Sequence, residues 1–284
     1  MSKFNFKQFL NILDFYNNGS EWNNPLNNEW LSFDLGNSNH NSQNEIRTDD
    51  LPQRSSDFIM PDEVPILPLR GLVVYPQTAI PLTIGQSRSI NLIDDVISHD
   101  RLVGLVASRN PDLENPGTDD LYHYGTLGII HRFFRAPDGT IRLLVQGVNR
   151  FLIKEYIKTD PYLFAKIELS PEIIETGLEI EALARSARDQ FNRIADLSPS
   201  IPRELVSSVT ALQDPLQTIY TIANFQRIDL DDAQSLLEIN STSEKLLKLV
   251  TILSKECEVL ELGQKIQNDA RSEIEKVQRE YYLN

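Results

Sequence analysis

Cysteine occurs once in the 284 residues, as Cys257. A single thiol excludes an intramolecular disulfide and any cysteine-rich zinc site, and it fits a reducing compartment, so the cytoplasm is the expected location. Histidine is nearly as scarce: His40, His99, His123 and His131 show no His-Glu-x-x-His spacing, so no metal site is expected. Positive charge is also short, with 27 Lys and Arg against 41 Asp and Glu, a formal net charge of -14 and a pI near 4.8. Phosphate backbones and anionic membrane surfaces would repel such a chain, which argues against nucleic acid as a partner. No run approaches the roughly 18 apolar residues that a membrane span needs. The first apolar stretch is broken by Lys7, Gln8, Asn11 and Asp14 and has neither a cationic leader nor a small-residue cleavage site, so no signal or transit peptide is expected. None of the 12 glycines is followed by lysine, which leaves no loop of the kind that cradles nucleotide phosphates.

Residues 1–60 have little aliphatic content after Phe15 and are dominated by Asn, Ser and Asp. Such a segment buries too little apolar surface to offset its ordering entropy, and a disordered Asn-rich tail is expected. Within it Phe4, Phe6, Phe9, Leu10, Ile12, Leu13 and Phe15 form an apolar cluster that could fold as a short amphipathic helix on a partner.

Short apolar runs separated by turn residues follow, a pattern that predicts strands. They are VPILPL (64–69), LVVY (72–75), RLVGLVAS (101–108), YGTLGIIHRFF (124–134), TIRLLVQGV (140–148), RFLIKEYI (150–157) and LFAKIEL (163–169). The string RAPDG places Pro, Asp and Gly in hairpin order between two of them. One helix interrupts the series, with Ser87 as a cap and Ile90, Ile93, Val96 and Ile97 on one face. After Pro171 the period becomes helical. Leu183, Ala187, Phe191 and Ile194 mark one helix, Pro202 opens a second, Asp214-Pro215 a third and Asp229 a fourth. Ser241 and Glu244 form a capping-box signature, and no proline follows before Asn284, so a final helix of about 60 Å is expected. Its apolar stripe thins after Leu262, with Ile266, Ala270, Ile274, Val277 and Tyr281 at near-heptad spacing, so the projecting half is either solvated or, as the spacing favours, a face awaiting a partner helix. The fold class read from these patterns is α+β. A small, mostly antiparallel β-sheet domain (61–170) precedes a helical subdomain (171–240) and a long helix (241–284).

VPILPLRGLVVYP resembles the opening of the LON domain, the amino-terminal module of Lon-type ATP-dependent proteases. IPLTIGQSRSINLID, LVGLVASRNPDLENPGTDDLYHYGTLGIIHR and APDGTIRLLVQGVNRFLIKEYIKTDPYLFAKIE continue the resemblance in register, as do IPRELVSSVTALQDPLQTIYTIA and the closing KVQREYYLN. The likeness covers residues 61 to 284, with Gly71 standing where an acidic or polar residue is common. It implies a LON/PUA-like sheet domain, a helical bundle and a long helix leading toward an ATPase module that is absent here. It further implies a role in catching unfolded or degron-bearing polypeptides for protein quality control, and in seating a hexamer. ATP and Mg belong to the complete enzyme; no cofactor and no catalysis are expected of this chain alone. The competing reading is a free-standing LON-domain adaptor or small-ligand binder.

Binding by surface then remains. Tyr75 and Pro76 at a strand end and Phe133 and Phe134 beside the hairpin are the candidate contacts for polypeptide clients, with ordinary core packing as the competing reading of each. Adjacent strand residues face opposite ways, so only one of the two phenylalanines can be core. Ile266, Ile274, Val277 and Tyr281 are the candidate partner contacts. Asp112, Glu114, Asp119 and Asp120 lack the glycine and ligand order of a calcium loop and are expected to be a solvated charge run.

Overall fold

The computed structural model describes residues 61–198, 201–226 and 228–283, with side chains described as far as Glu275. The expected Asn-rich tail, with its phenylalanine cluster and His40, lies outside the described residues. Six strands run in the order β1 (Glu63–Leu69), β2 (Ala79–Ile84), β3 (Leu102–Ala107), β4 (Tyr124–Arg135), β5 (Ile141–Lys158) and β6 (Leu163–Leu169). The helices are α1 (Ser87–Ile97), α2 (Leu178–Leu197), α3 (Arg203–Thr210), α4 (Pro215–Phe225), α5 (Leu230–Glu238) and α6 (Thr242–Leu283). The chain is α+β, as the patterns predict.

The sheet order is β2-β5-β4-β3-β1-β6, and β6 also pairs with β5. The 18 residues of β5 make this closure possible: its first part pairs with β2, its last part with β6, and β4 lies along its other edge through most of that length. Closing a sheet removes open edges. Among the described residues β2 pairs with β5 alone, and it carries Pro81, whose missing N–H costs least on a strand with one free edge.

Two sequence expectations change here. The runs 140–148 and 150–157 are one continuous strand, because Asn149 pairs with Leu127 without a turn. The run LVVY is not a strand. Val73 and Tyr75 point into the core of the helical part while Val74 joins the barrel core under α1, so this segment crosses between two cores. It is fastened by Thr126 Oγ1 donating to Val74 O (2.6 Å) and Thr78 Oγ1 donating to Tyr75 O (2.8 Å). Gly147 lets it approach, since a Cβ there would lie 2.2 Å from the Tyr75 carbonyl oxygen. The strand in this region is AIPLTI instead. Helix α1 begins at Ser87 with Gln86 in the cap position and no side-chain cap bond; Ser87 is its first helical residue and not its cap.

The helical part follows its caps more closely. Asp214 accepts from the Leu216 and Gln217 amides (2.8 and 3.2 Å), with Pro215 inside the first turn. Ser241 Oγ accepts from Glu244 N–H (3.2 Å), and Glu175 from the linker accepts from Ser243 N–H (2.8 Å) and Ser241 Oγ (2.7 Å).

Barrel and helices meet at a buried polar joint. Arg150 on β5 has no exposed side-chain surface. Its Nη1 donates to the carbonyls of Leu237 (2.8 Å), Glu238 (3.0 Å) and Ile239 (2.8 Å) at the end of α5, its Nη2 to Asn240 Oδ1 (2.6 Å), and its Nε to Ser170 O (2.7 Å). A helix carboxyl end presents unpaired carbonyls and a partial negative charge, which suits a guanidinium. Lys245 on α6 donates to Leu236 O (2.7 Å), Leu237 O (3.1 Å) and Tyr220 Oη (2.9 Å), and Tyr220 donates to Glu172, whose carboxylate sits 3.7 Å from Arg150 and 3.8 Å from Lys245. Tyr75 stacks on Tyr220 with ring centroids 5.4 Å apart and donates to Ala233 O (3.1 Å).

Burial pushes the Lys245 ammonium down to about 7, with Arg150 adding repulsion and Glu172 opposing both. In the unfolded chain the same group holds its proton to about 10.4. Between these values the unfolded state binds more protons than the folded one, so stability rises with pH; below about 7 Lys245 is charged in both states and its burial cost is fully present. The urea midpoint should therefore climb between pH 7 and 9, and the Lys245→Met variant should show a flatter profile over the same window. A variant as steep as the wild type would exclude Lys245 as the source.

Candidate functional site

The β4–β5 hairpin is built by the turn predicted from RAPDG. Ala136 N–H donates to Thr140 O (2.8 Å), Gly139 N–H to Ala136 O (3.0 Å), and Gly139 takes a φ of 86° that favours glycine. Asp138 accepts from Thr140 N–H (2.9 Å) and Thr140 Oγ1 (2.7 Å), and these bonds hold its carboxyl below the usual range. Just before the turn β4 carries a bulge between Ile130 and Arg132. A bulge slips one residue past the ladder and exchanges the faces beyond it. As a result Phe133 pairs with Leu143, a barrel-core residue, while Phe134 pairs with Arg142 on the opposite face.

Both phenylalanines remain open to solvent, Phe133 at 46% and Phe134 at 41%, because they lie past the end of the core. On the outer face one cross-strand row is Phe134–Arg142–Thr83 and the next is Arg132–Leu144–Pro81. Leu144 clusters there with Ala79. Arg135 pairs with Asp94 of α1, and His131 shares a 2.6 Å hydrogen bond with Gln146. The outer face is thus aromatic and aliphatic through Phe134, Leu144 and Pro81, with Arg132 and Arg142 beside them, while Phe133 exposes a second ring on the other face of the hairpin. That composition suits an extended polypeptide with apolar side chains.

The other expected contacts fall elsewhere. Tyr75 is 2% exposed and Pro76 is also buried; packing against Tyr220 takes up the ring that the sequence places at a strand end, so neither residue presents a surface. Ile266 and Ile274 are exposed on α6, and every described residue from Leu262 to Glu275 is exposed. The side chains of Val277 and Tyr281 lie outside the described residues. Packing of α6 on α2 runs through Cys257 and ends near the Arg193–Glu261 ion pair, and about 33 Å of helix extends beyond Leu262. His99 and His131 make exposed hydrogen bonds, and among the described residues no cluster of His, Cys, Asp and Glu could hold a metal ion. In the acidic loop Asp120 caps its own 3-10 turn at Gly117 N–H (2.8 Å). No described helix is long and apolar enough to cross a membrane.

Sequence reasoning missed the outer row of Pro81 and Leu144, because AIPLTI was not read as a strand. It also missed a second exposed apolar set, Ile173 and Ile174 on the linker and Leu178 at the start of α2. The adjacent isoleucines were the available signal, but a linker has no periodicity to say which way they point.

The family model for the ATP-dependent protease La (LON) substrate-binding domain matches residues 63–255. A Lon protease of Dictyoglomus thermophilum is 41% identical over 224 residues, which is 79% of this chain and 28% of that protein. Lon protease 1 of Herpetosiphon aurantiacus is 43% identical over 229 residues, again 79% of this chain and 28% of the relative. The chain therefore spans a little over a quarter of the length of these relatives. Among solved structures, the N-terminal domain of the Mycobacterium avium complex Lon protease superposes with a TM-score of 0.56 at 22% identity, covering 68% of this chain and 98% of that domain. The fold is thus shared over about two thirds of this chain, and the chain belongs to the LON substrate-binding domain family.

Proposed function

We propose that this chain gathers unfolded or degron-bearing polypeptides for an ATP-dependent Lon protease of the cytoplasm. The observation that carries the reading is the exposed pair Phe133 and Phe134 on a bulged, arginine-rimmed hairpin. Misfolded clients differ from folded proteins in exposing aromatic and aliphatic side chains, and this surface matches that difference. ATP hydrolysis with Mg and peptide cleavage belong, in this reading, to the part of the relatives' length that this chain does not span. The barrel of residues 61–170 is the contact module, residues 171–240 its support, and the last helix its route to the ring. Net charge disfavours nucleic acid and anionic membranes as partners.

The test is fluorescence anisotropy with reduced, carboxymethylated ribonuclease A and its native form. Binding of the unfolded form alone is expected. Equal binding of both, or measurable ATP turnover by the chain, would overturn the proposal; failure to bind any polypeptide would favour an adaptor.

Assembly is assigned to α6. Its stripe of Val259, Leu262, Ile266 and Ile274 is exposed and spaced for a partner helix. The double variant Ile266→Asp/Ile274→Asp should shift sedimentation of the chain at high concentration toward the monomer and leave the melting temperature unchanged. Identical sedimentation of the two proteins would remove this stripe from assembly.

A further inference from the structure

We infer that the end of the helical part formed by the linker and the starts of α2 and α6 docks a basic segment of a partner polypeptide, one that sets aliphatic side chains between lysines or arginines. Leu178 at 84% and Ile174 at 76% are the most exposed large apolar residues among those described, with Ile173 beside them at 60%. They stand on a pinned backbone. Ile173 N–H donates to Asn240 O (2.9 Å), Ile173 O accepts from Thr242 Oγ1 (2.8 Å), and Leu178 is the first residue of α2. Binding therefore has little left to order on this side.

The charge around the patch has one sign. Glu179 and Glu181 in the first turn of α2 and Glu244 in the first turn of α6 are exposed, and among the described residues none of their carboxylates has a hydrogen bond or an ion pair. Glu172 and Glu175 on the linker do not count toward this rim, because the first is taken up by Tyr220 and the second by Ser241 and Ser243. Cations are remote or engaged: Lys245 is buried, Lys248 is paired with Asp232, and Arg185 lies about two turns beyond Leu178. An apolar patch with an acidic rim selects a segment that is apolar and basic at once. A second copy of this chain fits poorly, since a two-fold contact sets a patch against itself and would bring like carboxylates together.

The test is fluorescence anisotropy of the full chain with a labelled peptide of Lys-Leu-Leu-Lys repeats, beside peptides in which serine replaces every leucine or glutamate replaces every lysine. The first should bind and the other two should bind at least about tenfold more weakly. Ile174→Ser/Leu178→Ser should weaken binding about tenfold, and Glu179→Gln/Glu181→Gln/Glu244→Gln about fivefold at low salt. Both variants change exposed side chains only, and their melting temperatures should stay close to that of the wild type. Asp112→Asn/Glu114→Gln/Asp119→Asn removes the same charge from the acidic loop and should stay within about twofold, as should Phe133→Ser/Phe134→Ser at the distant hairpin. Equal losses in the two charge variants would reduce the attraction to net charge and overturn the inference. Unchanged peptide binding in Ile174→Ser/Leu178→Ser, with self-association lost, would give this face to a second copy and overturn it as well.

Discussion

Replacing Arg150 with methionine is expected to lower the stability of this chain by about 3–5 kcal/mol, the range for removing one partner from a buried charge network. At the usual scaling of 2–4 °C per kcal/mol for a chain of this size, the melting temperature falls by roughly 10 °C. The side chain leaves behind three carbonyl oxygens at the end of α5, the Ser170 carbonyl and the Asn240 side chain. All lose a charged donor, and the Leu237 carbonyl loses it in the buried interior. Glu172 also keeps Lys245 as its nearest cation, 3.8 Å away. Arg150→Lys retains the charge but not the fork that spans these acceptors, so it should recover only part of the loss. Differential scanning calorimetry of the two variants decides the matter. A melting temperature within a degree or two of the wild type for Arg150→Met would mean that Arg150 does not hold barrel and helices together.

The second large effect is expected at the hairpin. Phe133→Ser/Phe134→Ser removes two aromatic anchors, and aromatic truncations at binding hot spots each cost about 2 kcal/mol or more. Together, at about 4 kcal/mol or more, they should weaken binding of carboxymethylated ribonuclease A by roughly 700-fold or more. The fold should barely respond, because both rings are already half in solvent and surface changes usually stay within about 0.5 kcal/mol. Ile157→Ser is the matching control: it is exposed to a similar degree, at 41%, but lies at the far end of β5. Client affinity in that variant should stay within about twofold of the wild type. Equal losses in both would point to a diffuse apolar effect and away from a defined surface.

What the sequence made legible follows the range of the interaction. The RAPDG turn, the Asp214-Pro215 cap and the helical stripes depend on neighbours a few residues apart, and they appear where the spacing puts them. LVVY has the composition of a strand, but its neighbours are Thr126, Gly147 and Tyr220, all distant in the chain. AIPLTI carries a proline, as VPILPL does, and nothing within its six residues says that it pairs with β5. Which face each phenylalanine takes depends on a one-residue bulge, and no local signal marks where a ladder slips. Arg150 and Lys245 look like ordinary surface cations in sequence. Only the packing of α5 against β5 and α6 puts carbonyl oxygens around them.

On the proposed client-binding reading, Pro81 has a consequence for what happens after a client arrives. A surface that concentrates unfolded chains also concentrates the material from which fibrils grow, and an open backbone ladder beside it would be a template for cross-β stacking. The open strand next to this surface is six residues long and interrupted by proline at its third position. Its backbone therefore offers little on which a client could add itself as a further strand. Capture is left to side chains, which release an extended chain more readily than a continuous ladder does, and a client held in this way stays available for onward transfer.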